Sequence, residues 1–314
     1  MTNAAPIVSI IIPTFNCELY IAETIASVLG QSFKDIELIV IDDGSTDRTA
    51  EIVASFASPV RLITQRNAGV CAARNRGIKE AAGKYICLMD HDDYWFPEKL
   101  ARQVRELQLS LETGGVYSAF TLWHRDATEG EFPDPGSFDL NAYPDDIDAD
   151  FSGWIYHQFL VDCWMLTSTA MFRAEVFAHC GLFDEALPYS EDWDLWLRIS
   201  QNYPLIKLRR PYTLYRQHAH QGNRVNRDID YRTRLLIGAV KKWGLCSRDG
   251  RCVSRHRFNE QLATYHTEFA LGHLRAGNKR RAISAFIKAW WAHPQNLKTL
   301  AYVPATFLGW KPQW

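Results

Sequence analysis

The chain has 314 residues, of which 47% are hydrophobic and 23% are charged, and its formal net charge at pH 7 is −1. A chain of this length and composition can bury a sizeable core, so we expect one large domain, alone or with a smaller appendage. The composition excludes intrinsically disordered and fibrous proteins.

The first part of the chain alternates between short β-branched runs and helical patterns. A helix is predicted over residues 18–29, where Ile21, Ile25 and Val28 fall on one face at helical spacing. Strands that alternate with helices indicate a parallel sheet with right-handed crossovers. The predicted strands are residues 7–13, 36–42, 60–65 and 85–89.

Polar residues follow three of these strands, at residues 14–16, 42–45 and 90–93. Ligands of parallel α/β sheets bind beyond the carboxyl ends of the strands, so these segments are the first candidates for a functional site. Asp43 and Ser45 also suit a turn ahead of a helix predicted over residues 46–56, and this structural alternative stays open.

Three carboxylates lie within four residues after the fourth strand, at Asp90, Asp92 and Asp93. Oxygen ligands suit Mg²⁺ or Mn²⁺, and these ions usually combine one or two carboxylates with substrate phosphates. Such an ion would neutralise a diphosphate leaving group. The alternative is an acidic loop that is simply solvated.

The pattern loosens after residue 112. A stretch rich in proline and aspartate, residues 132–150, predicts a long surface loop. The elements predicted beyond it are a strand over residues 165–172, helices over residues 174–180 and 191–200, and a helical region from about residue 226.

The charges also divide the chain. From residue 226 onward there are 16 lysine and arginine residues and five acidic ones, whereas residues 1–225 contain 19 and 31. Parts of opposite charge indicate different roles. We therefore predict an acidic domain over residues 1–225 and a basic helical region over residues 226–314.

The seven cysteines are scattered and never in CxxC spacing, which indicates neither a disulfide framework nor a zinc site. A reducing, cytoplasmic compartment is the simpler interpretation. The first apolar run ends at Pro13 and lacks a basic flank, as in a buried strand rather than a signal peptide. No run reaches the roughly 18 apolar residues of a membrane-spanning helix, so we expect a soluble or peripheral protein.

Taken together, the motifs resemble those of the family 2 glycosyltransferases, which are inverting enzymes of the GT-A fold. The resemblance covers residues 6–220, and it implies an α/β fold with a GT-A-type (Rossmann-like), mostly parallel sheet flanked by helices, followed by a C-terminal helical region. Its segments are SIIIPTFN at 9–16, VIDDGSTD at 40–47, NAGV at 67–70, ARNRG at 73–77, LMDHDD at 88–93, GLFDE at 181–185 and EDWDLW at 191–196.

The resemblance implies a nucleotide-diphosphate sugar as donor, with UDP as the expected nucleotide. Thr14 and Asp43 would contact the base, Arg74 would lie near the base or the diphosphate, and Asp90 would reach the ribose or the sugar. The predicted donor-binding residues are Pro13, Thr14, Asn16, Asp43, Arg74 and Asp90.

The same resemblance implies that Asp92 is the direct ligand of Mn²⁺ or Mg²⁺ and that Asp93 lies behind it. His218 matches a segment that supplies a further metal or phosphate contact in some members, and His220 competes for this role. A structural role is the alternative for a lone histidine.

Asp192 matches the position of the family's catalytic base. Inversion in a single displacement needs one base, opposite the leaving group, that deprotonates the acceptor hydroxyl. For Asp192 and Glu191 the alternative is a carboxylate favoured by the dipole at a helix N-terminus. Trp193 is the candidate for stacking on a sugar ring, although buried aromatic residues more often form core.

The C-terminal region contains clusters of basic residues that are followed by aromatic residues. Helices of this kind can lie on anionic membranes, where lipid-linked acceptors are found. The alternative is a solvated helix face whose aromatic residues pack on the catalytic domain. Positive charge also suits nucleic acid, but no recognised binding module accompanies it, so we predict no nucleic-acid partner.

These expectations describe a cytoplasmic enzyme, peripheral at the inner face of the membrane, that transfers sugar to a glycan or a lipid-linked saccharide in polysaccharide and cell-envelope biosynthesis. A sugar-1-phosphate nucleotidyltransferase is one alternative, but its glycine-rich, basic N-terminal loop is absent at residues 13–16. A non-catalytic binding module is another, although such a protein is expected to have lost the carboxylates.

Overall fold

The computed structural model describes residues 5–126, 130–219 and 227–307. The contacts between residues divide the chain into two compact units. The short segment Tyr156–Cys163 belongs to the second unit, although it interrupts the first one in the sequence. The first unit is Met1–Ile155 with Trp164–Gln221, and the second is Tyr156–Cys163 with Gly222–Trp314.

The strands of the described residues all belong to the first unit. They are β1 (Val8–Thr14), β2 (Ile36–Asp42), β3 (Val60–Thr64), β4 (Tyr85–Leu88), β5 (Tyr94–Trp95), β6 (Gly115–Trp123), β7 (Ala170–Arg173) and β8 (Leu205–Arg216). The helices of both units are α1 (Ile21–Leu29), α2 (Thr49–Ala54), α3 (Val70–Glu80), α4 (Lys99–Leu109), α5 (Tyr156–Phe159), α6 (Ala174–Cys180), α7 (Glu191–Asn202), α8 (Tyr231–Trp243), α9 (Arg255–Arg275), α10 (Lys279–Ala292) and α11 (Leu297–Phe307).

The strands form one sheet in the order β3-β2-β1-β4-β7-β6-β8-β5. Strands β1 to β4, which the sequence predicted, pair in parallel, and β1 lies between β2 and β4. The other half is mixed, because β7 runs antiparallel to β4 and β6, and β5 runs antiparallel to β8. The sheet is therefore parallel where the predicted strands lie and mixed beyond them.

The register of the parallel half positions the candidate site. Thr14 is paired with Asp42, and Ile11 is paired with Leu88, the last residue of β4. The carboxyl ends of β1, β2 and β4 therefore lie at one edge of the sheet, and the polar segments that follow them leave from the same edge.

The core of the first unit lies on both faces of the sheet. Ile21, Ile25 and Val28 of α1 are fully buried, which confirms the apolar face predicted for this helix. On the opposite face α3 packs so closely on β1 that a Cβ atom on Gly77 would lie 2.3 Å from Cγ2 of Ile11. This close approach fixes the position of α3, which carries Arg74.

The loop over residues 132–150 is largely exposed, as predicted, and contains short 3₁₀ turns. The region after residue 112 is more regular than the sequence indicated. It contains β6 and the twelve-residue strand β8, whose pairing shifts register between Ser118 and Phe120. Such irregular pairing does not produce a simple period of hydrophobic residues.

The second unit is helical and has its own small core around α9, α10 and α11, with Leu274 and Phe286 buried at its centre. Cys246 and Cys252 form one disulfide, although the cysteine spacing indicated no disulfide framework. The two residues also form an antiparallel bridge with their Cα atoms 4.0 Å apart, so a local turn brings the thiols together. Within the described residues, no helix combines the length and the apolarity that crossing a bilayer requires.

We expect Gly77→Ala to lower the free energy of unfolding by about 1–3 kcal/mol, because the added methyl group overpacks the contact between α3 and β1. Gly238→Ala is the matched control, since Gly238 also lies inside a helix but a Cβ atom there meets nothing within 4 Å. That change should stabilise α8 by about 0.5–1 kcal/mol. Urea unfolding measures the free energy of unfolding of both variants. Equal effects of the two substitutions would contradict the close packing of α3 on β1.

Candidate active site

The segments after β1 and β2 are joined by hydrogen bonds. The N–H of Asp43 donates to the carbonyl of Thr14 at 2.8 Å, and the N–H of Asn16 donates to Ser45 Oγ at 2.9 Å. Asn16 has a positive φ of 48°, and its side-chain oxygen accepts a hydrogen bond from the N–H of Thr46 at 2.8 Å. The polar loops predicted from the sequence therefore form one connected surface at the sheet edge.

Asp43 is almost fully buried, and its carboxylate fixes the segment that leads into α3. It accepts hydrogen bonds from Gln65 Nε2 at 2.8 Å, from the N–H of Ala68 at 2.9 Å and from the N–H of Gly69 at 2.8 Å. The structural alternative predicted from the sequence was a turn ahead of the helix over residues 46–56. The structure shows instead that Asp43 binds the segment before α3.

Thr14 ends β1 next to Asp43, and Pro13 is buried in the same strand opposite Ile41. The hydroxyl of Thr14 is buried, and it makes no hydrogen bond to any part of the chain that the structure describes. Buried hydroxyl groups are normally hydrogen-bonded. Thr14 thus offers a polar contact that the protein itself does not use.

Arg74 of α3 joins two acidic segments that are far apart in the sequence. Its Nη2 donates to Asp90 Oδ1 at 2.7 Å, and its Nη1 donates to Glu191 Oε1 at 2.9 Å across 117 positions. Burial would lower the pKa of this guanidinium, but the charges of Asp90 and Glu191 outweigh that effect and raise the pKa. The ion pairs therefore hold the start of α7 beside the turn after β4.

Asp92 and His218 form the second pair of the site. His218 Nε2 lies 2.7 Å from Asp92 Oδ2, and the side chains of both residues are largely buried. Burial opposes ionisation of Asp92, but the hydrogen bond from His218 and the nearby imidazole of His91 lower the pKa of this carboxyl group. The structure thus brings together the two residues predicted as metal ligands, whereas His220 lies outside the described residues.

Asp93 is buried, and its carboxyl group makes hydrogen bonds to other residues of the protein. It accepts a hydrogen bond from Ser168 Oγ at 2.5 Å and one from the N–H of Arg216 at 3.2 Å. Burial, with the charges of Asp92 and Asp90, raises the pKa of Asp93 well above its usual value. This carboxyl group therefore links the acidic turn, residues 90–93, to β8 and to the residues before β7.

The sequence analysis did not identify two further residues that shape the site, Ser168 and Arg216. Ser168 Oγ accepts a hydrogen bond from the N–H of Asp90 at 3.0 Å and donates one to Asp93. Arg216 Nε donates to the carbonyl of Asp92 at 2.7 Å, and its guanidinium lies 3.9 Å from the ring centroid of Trp123. No pattern singles out an isolated serine, but Arg216 could have been found because it precedes His218 by two residues.

Asp192 lies in the first turn of α7, next to Glu191. Its Oδ1 accepts a hydrogen bond from the N–H of Trp193 at 2.7 Å. Burial and the charge of Glu191 raise the pKa of Asp192 to about 7, although Arg74 acts in the opposite direction. Asp192 is thus a half-buried residue whose carboxyl group has a raised pKa. Trp193 is itself buried, with 4% of its surface exposed.

Residues 9–163 match the family described as Glycosyl transferase family 2. The chain is also similar to the *Escherichia coli* UDP-Glc:alpha-D-GlcNAc-diphosphoundecaprenol beta-1,3-glucosyltransferase WfaP, with 32% identity over 224 residues that cover 68% of this chain and 78% of WfaP. The chain belongs to glycosyl transferase family 2. An uncharacterized glycosyltransferase of *Rickettsia typhi* is 33% identical over 209 residues, which cover 63% of this chain and 61% of that relative.

Two solved structures agree with family 2 in fold. The *Staphylococcus aureus* TarS fragment 1–349, in complex with UDP-GlcNAc, has a TM-score of 0.62 and 19% identity and covers 96% of this chain and 88% of its own. The mannosyltransferase PcManGT of Pyrobaculum calidifontis, in complex with GDP-Man and Mn²⁺, has a TM-score of 0.54 and 19% identity. The match covers 99% of this chain and 82% of the PcManGT chain. The predicted family and the GT-A-type fold with C-terminal helices are confirmed.

We expect Ser168→Ala to lower the free energy of unfolding by about 1–3 kcal/mol, because buried polar groups at Asp90 and Asp93 lose their partner. Ser200→Ala is the matched control, since Ser200 is equally buried but, among the described residues, its hydroxyl bonds only to the carbonyl of Leu197 in its own helix. Urea unfolding of both variants measures the difference. If the two substitutions have the same effect, Ser168 does not fasten the acidic turn.

Proposed function

We propose that the protein is a metal-assisted, inverting glycosyltransferase that moves a sugar from a nucleotide-diphosphate donor, a UDP-sugar, to a hydroxyl group of a glycan or a lipid-linked saccharide. The observation that carries this proposal is the connection of Asp192 to the acidic turn. Arg74 pairs with Asp90 of that turn and with Glu191, the neighbour of Asp192. A carboxyl group whose pKa is about 7 therefore lies beside the proposed donor site.

Thr14, Asp43 and Arg74 support the donor part of the proposal. The unused hydroxyl of Thr14 lies at the end of β1, next to Asp43 and Asn16, where we propose that the base of the nucleotide binds. The Nε of Arg74 also makes no hydrogen bond within the described residues, so this side chain has a donor left for the diphosphate. The solved neighbour TarS was crystallised with UDP-GlcNAc, which favours a uridine nucleotide.

The residues after β4 fit a divalent cation. Asp92 Oδ2 and His218 Nε2 converge at 2.7 Å, and the lowered pKa of Asp92 keeps its carboxylate ionised at neutral pH. We propose that Asp92 and His218 hold Mn²⁺ or Mg²⁺, with Asp90 directed to the ribose or the sugar and Asp93 fixing the turn from behind. When bound, the ion would neutralise charge that develops on the diphosphate as it leaves. PcManGT was crystallised with Mn²⁺.

Asp192 is the proposed general base. The acceptor oxygen forms its bond to the anomeric carbon while the bond from that carbon to the diphosphate breaks, and the hydroxyl proton passes to Asp192. A base whose pKa lies near the working pH is efficient in such a transfer. Glu191 raises the basicity of Asp192 by its charge, and the buried Trp193 helps to hold Asp192 in place by packing at the start of α7.

Asp192→Asn should lower kcat by about 10²–10⁴-fold, because the amide cannot accept the proton. UDP binding should not change, since the substituted group does not contact the nucleotide in this proposal. Turnover of a UDP-sugar and calorimetric titration with UDP measure the two properties. A variant that keeps most of its turnover would exclude Asp192 as the base.

The protonation of Asp192 predicts how kcat/KM changes with pH. The base acts when it is deprotonated, so activity should rise with pH and reach half of its plateau near pH 7, the pKa raised by burial and by Glu191.

The raised pKa of Asp192 also predicts an effect on stability, since the folded protein disfavours the ionised carboxylate that is present above that pH. Asp192→Asn should therefore be at least as stable as the native protein at pH 8, and this advantage should shrink toward pH 5. Thermal unfolding of both proteins at pH 8 and pH 5 measures this difference in stability. A stability advantage of Asp192→Asn that grows toward pH 5 would contradict the prediction.

The alternative reaction, formation of a nucleotide sugar from a sugar-1-phosphate, is tested by the products. Incubation with a nucleoside triphosphate and a sugar-1-phosphate would release pyrophosphate in that case. The family match at residues 9–163 and the similarity to WfaP favour transfer from the nucleotide sugar.

We also propose that the second unit contacts an anionic membrane at the cytoplasmic face. Helix α11 buries Thr299 and Thr306 but exposes Leu297 and Phe307, so some of its apolar side chains face outward. On α10, Trp291 is 70% exposed and Lys288 lies nearby in the sequence. Apolar and aromatic residues flanked by lysines suit the interface of a bilayer with anionic headgroups, where each basic residue contributes about 1 kcal/mol. The name of WfaP includes a diphosphoundecaprenol acceptor, which favours a lipid-linked acceptor here.

The double variant Trp291→Glu/Phe307→Glu should lose flotation with vesicles that contain phosphatidylglycerol, because acidic side chains are repelled by that surface. Ile237→Glu is the control, since Ile237 is an exposed apolar residue of α8 in the same unit. Unchanged flotation of the double variant would contradict the proposal. The native protein could instead fail to bind vesicles and form a dimer that the double variant does not form. That result would show that the exposed apolar residues of α10 and α11 bind a second copy of the chain.

A further inference from the structure

Three metal-binding side chains meet in the second unit, in a cluster that no proposed step of the reaction uses. His256 and Glu260 lie one turn apart at the start of α9, and His293 follows the end of α10. One donor atom from each residue lies within 4.8 Å of the other two. His256 Nε2 is 3.4 Å from Glu260 Oε1, and the rings of His256 and His293 are 5.2 Å apart between centroids.

His293 has an unused nitrogen. Its Nε2 is buried and makes no hydrogen bond to any residue in the described ranges. A buried ring nitrogen without a partner is unusual, because such groups are normally satisfied by protein or by an ordered ligand. The hydrogen bond from the N–H of His293 to the carbonyl of Ala289 fixes its backbone at the end of α10.

We propose that His256, Glu260 and His293 form a binding site for a transition-metal ion, with Zn²⁺ as the expected ion and a fourth position open to water. Two imidazoles and one carboxylate are a common ligand set for zinc, whereas Mg²⁺ and Ca²⁺ prefer oxygen ligands alone. Zinc bonds of about 2.0–2.2 Å need donor atoms about 3.3–3.6 Å apart in a tetrahedron. His256 Nε2 and Glu260 Oε1 already have this spacing at 3.4 Å, the donor atom of His293 lies within 4.8 Å of both, and the exposed side chain of His256 can turn to complete the site.

The donor chemistry separates this site from the one proposed after β4. That site combines carboxylates with one histidine and suits Mn²⁺ or Mg²⁺, while two imidazoles favour a softer ion. A bound ion would connect the first turn of α9 with the end of α10. The cluster therefore serves as a stabilising link within the second unit, and its loading is independent of the donor.

Arg257 provides an internal control. It lies beside His256 at the start of α9, is exposed to a similar degree, and its Nη1 is 3.6 Å from Glu260 Oε2. Arg257 thus competes for the carboxylate that the ion would use. Removing its charge should leave zinc affinity unchanged or increase it, whereas removing His256 should reduce it.

The test uses the full chain after removal of metals with a chelator. Titration with ZnCl₂ should show a binding step whose affinity falls more than about tenfold in His256→Ala and in Glu260→Gln, but not in Arg257→Ala. The same two variants should lose the rise in melting temperature that zinc causes, because an ion bound to the folded state stabilises it. Binding of Mn²⁺ with UDP should be unchanged in both. Zinc affinity that is equal in the native protein and all three variants would overturn the proposal.

Discussion

The buried guanidinium of Arg74 holds together two acidic segments that the sequence separates widely. One of them, Asp90, begins the turn after β4, and the other, Glu191, begins α7. Removing one partner of a buried ion pair commonly costs about 3–5 kcal/mol, because a charge is left without compensation. The position of Asp192 depends on this link, and so does the distance between the proposed base and the proposed donor site.

Negative charge still exceeds positive charge at this edge of the sheet. The pKa of Asp93 is raised by burial and by its acidic neighbours, and that of Asp192 is raised to about 7 by burial and Glu191. Burial is the largest cause of both shifts, and the neighbouring carboxylates act in the same direction. An edge of this kind suits a cation that is shared with the phosphates of a ligand, and it keeps a nearby carboxyl group ready to accept a proton.

The sequence predicted those parts of the fold that depend on local patterns. Strands β1 to β4 are apolar runs between helices, and α6 begins and ends at the predicted residues. By contrast, β5 has two residues and is defined by its pairing with β8, which no local pattern encodes. Ser168 was missed for the same reason, because its bonds to Asp90 and Asp93 join residues more than 70 positions away. The disulfide between Cys246 and Cys252 depends on a turn that cysteine spacing alone does not reveal.

The central claim is that the acidic turn holds a cation shared with the diphosphate of a nucleotide sugar. Calorimetric titration with UDP, with and without Mn²⁺, tests it most directly when the native protein is compared with Asp92→Asn. Mn²⁺ should strengthen UDP binding by at least about tenfold in the native protein and should have little effect in the variant. UDP affinity that is the same with and without Mn²⁺ in the native protein would contradict the account.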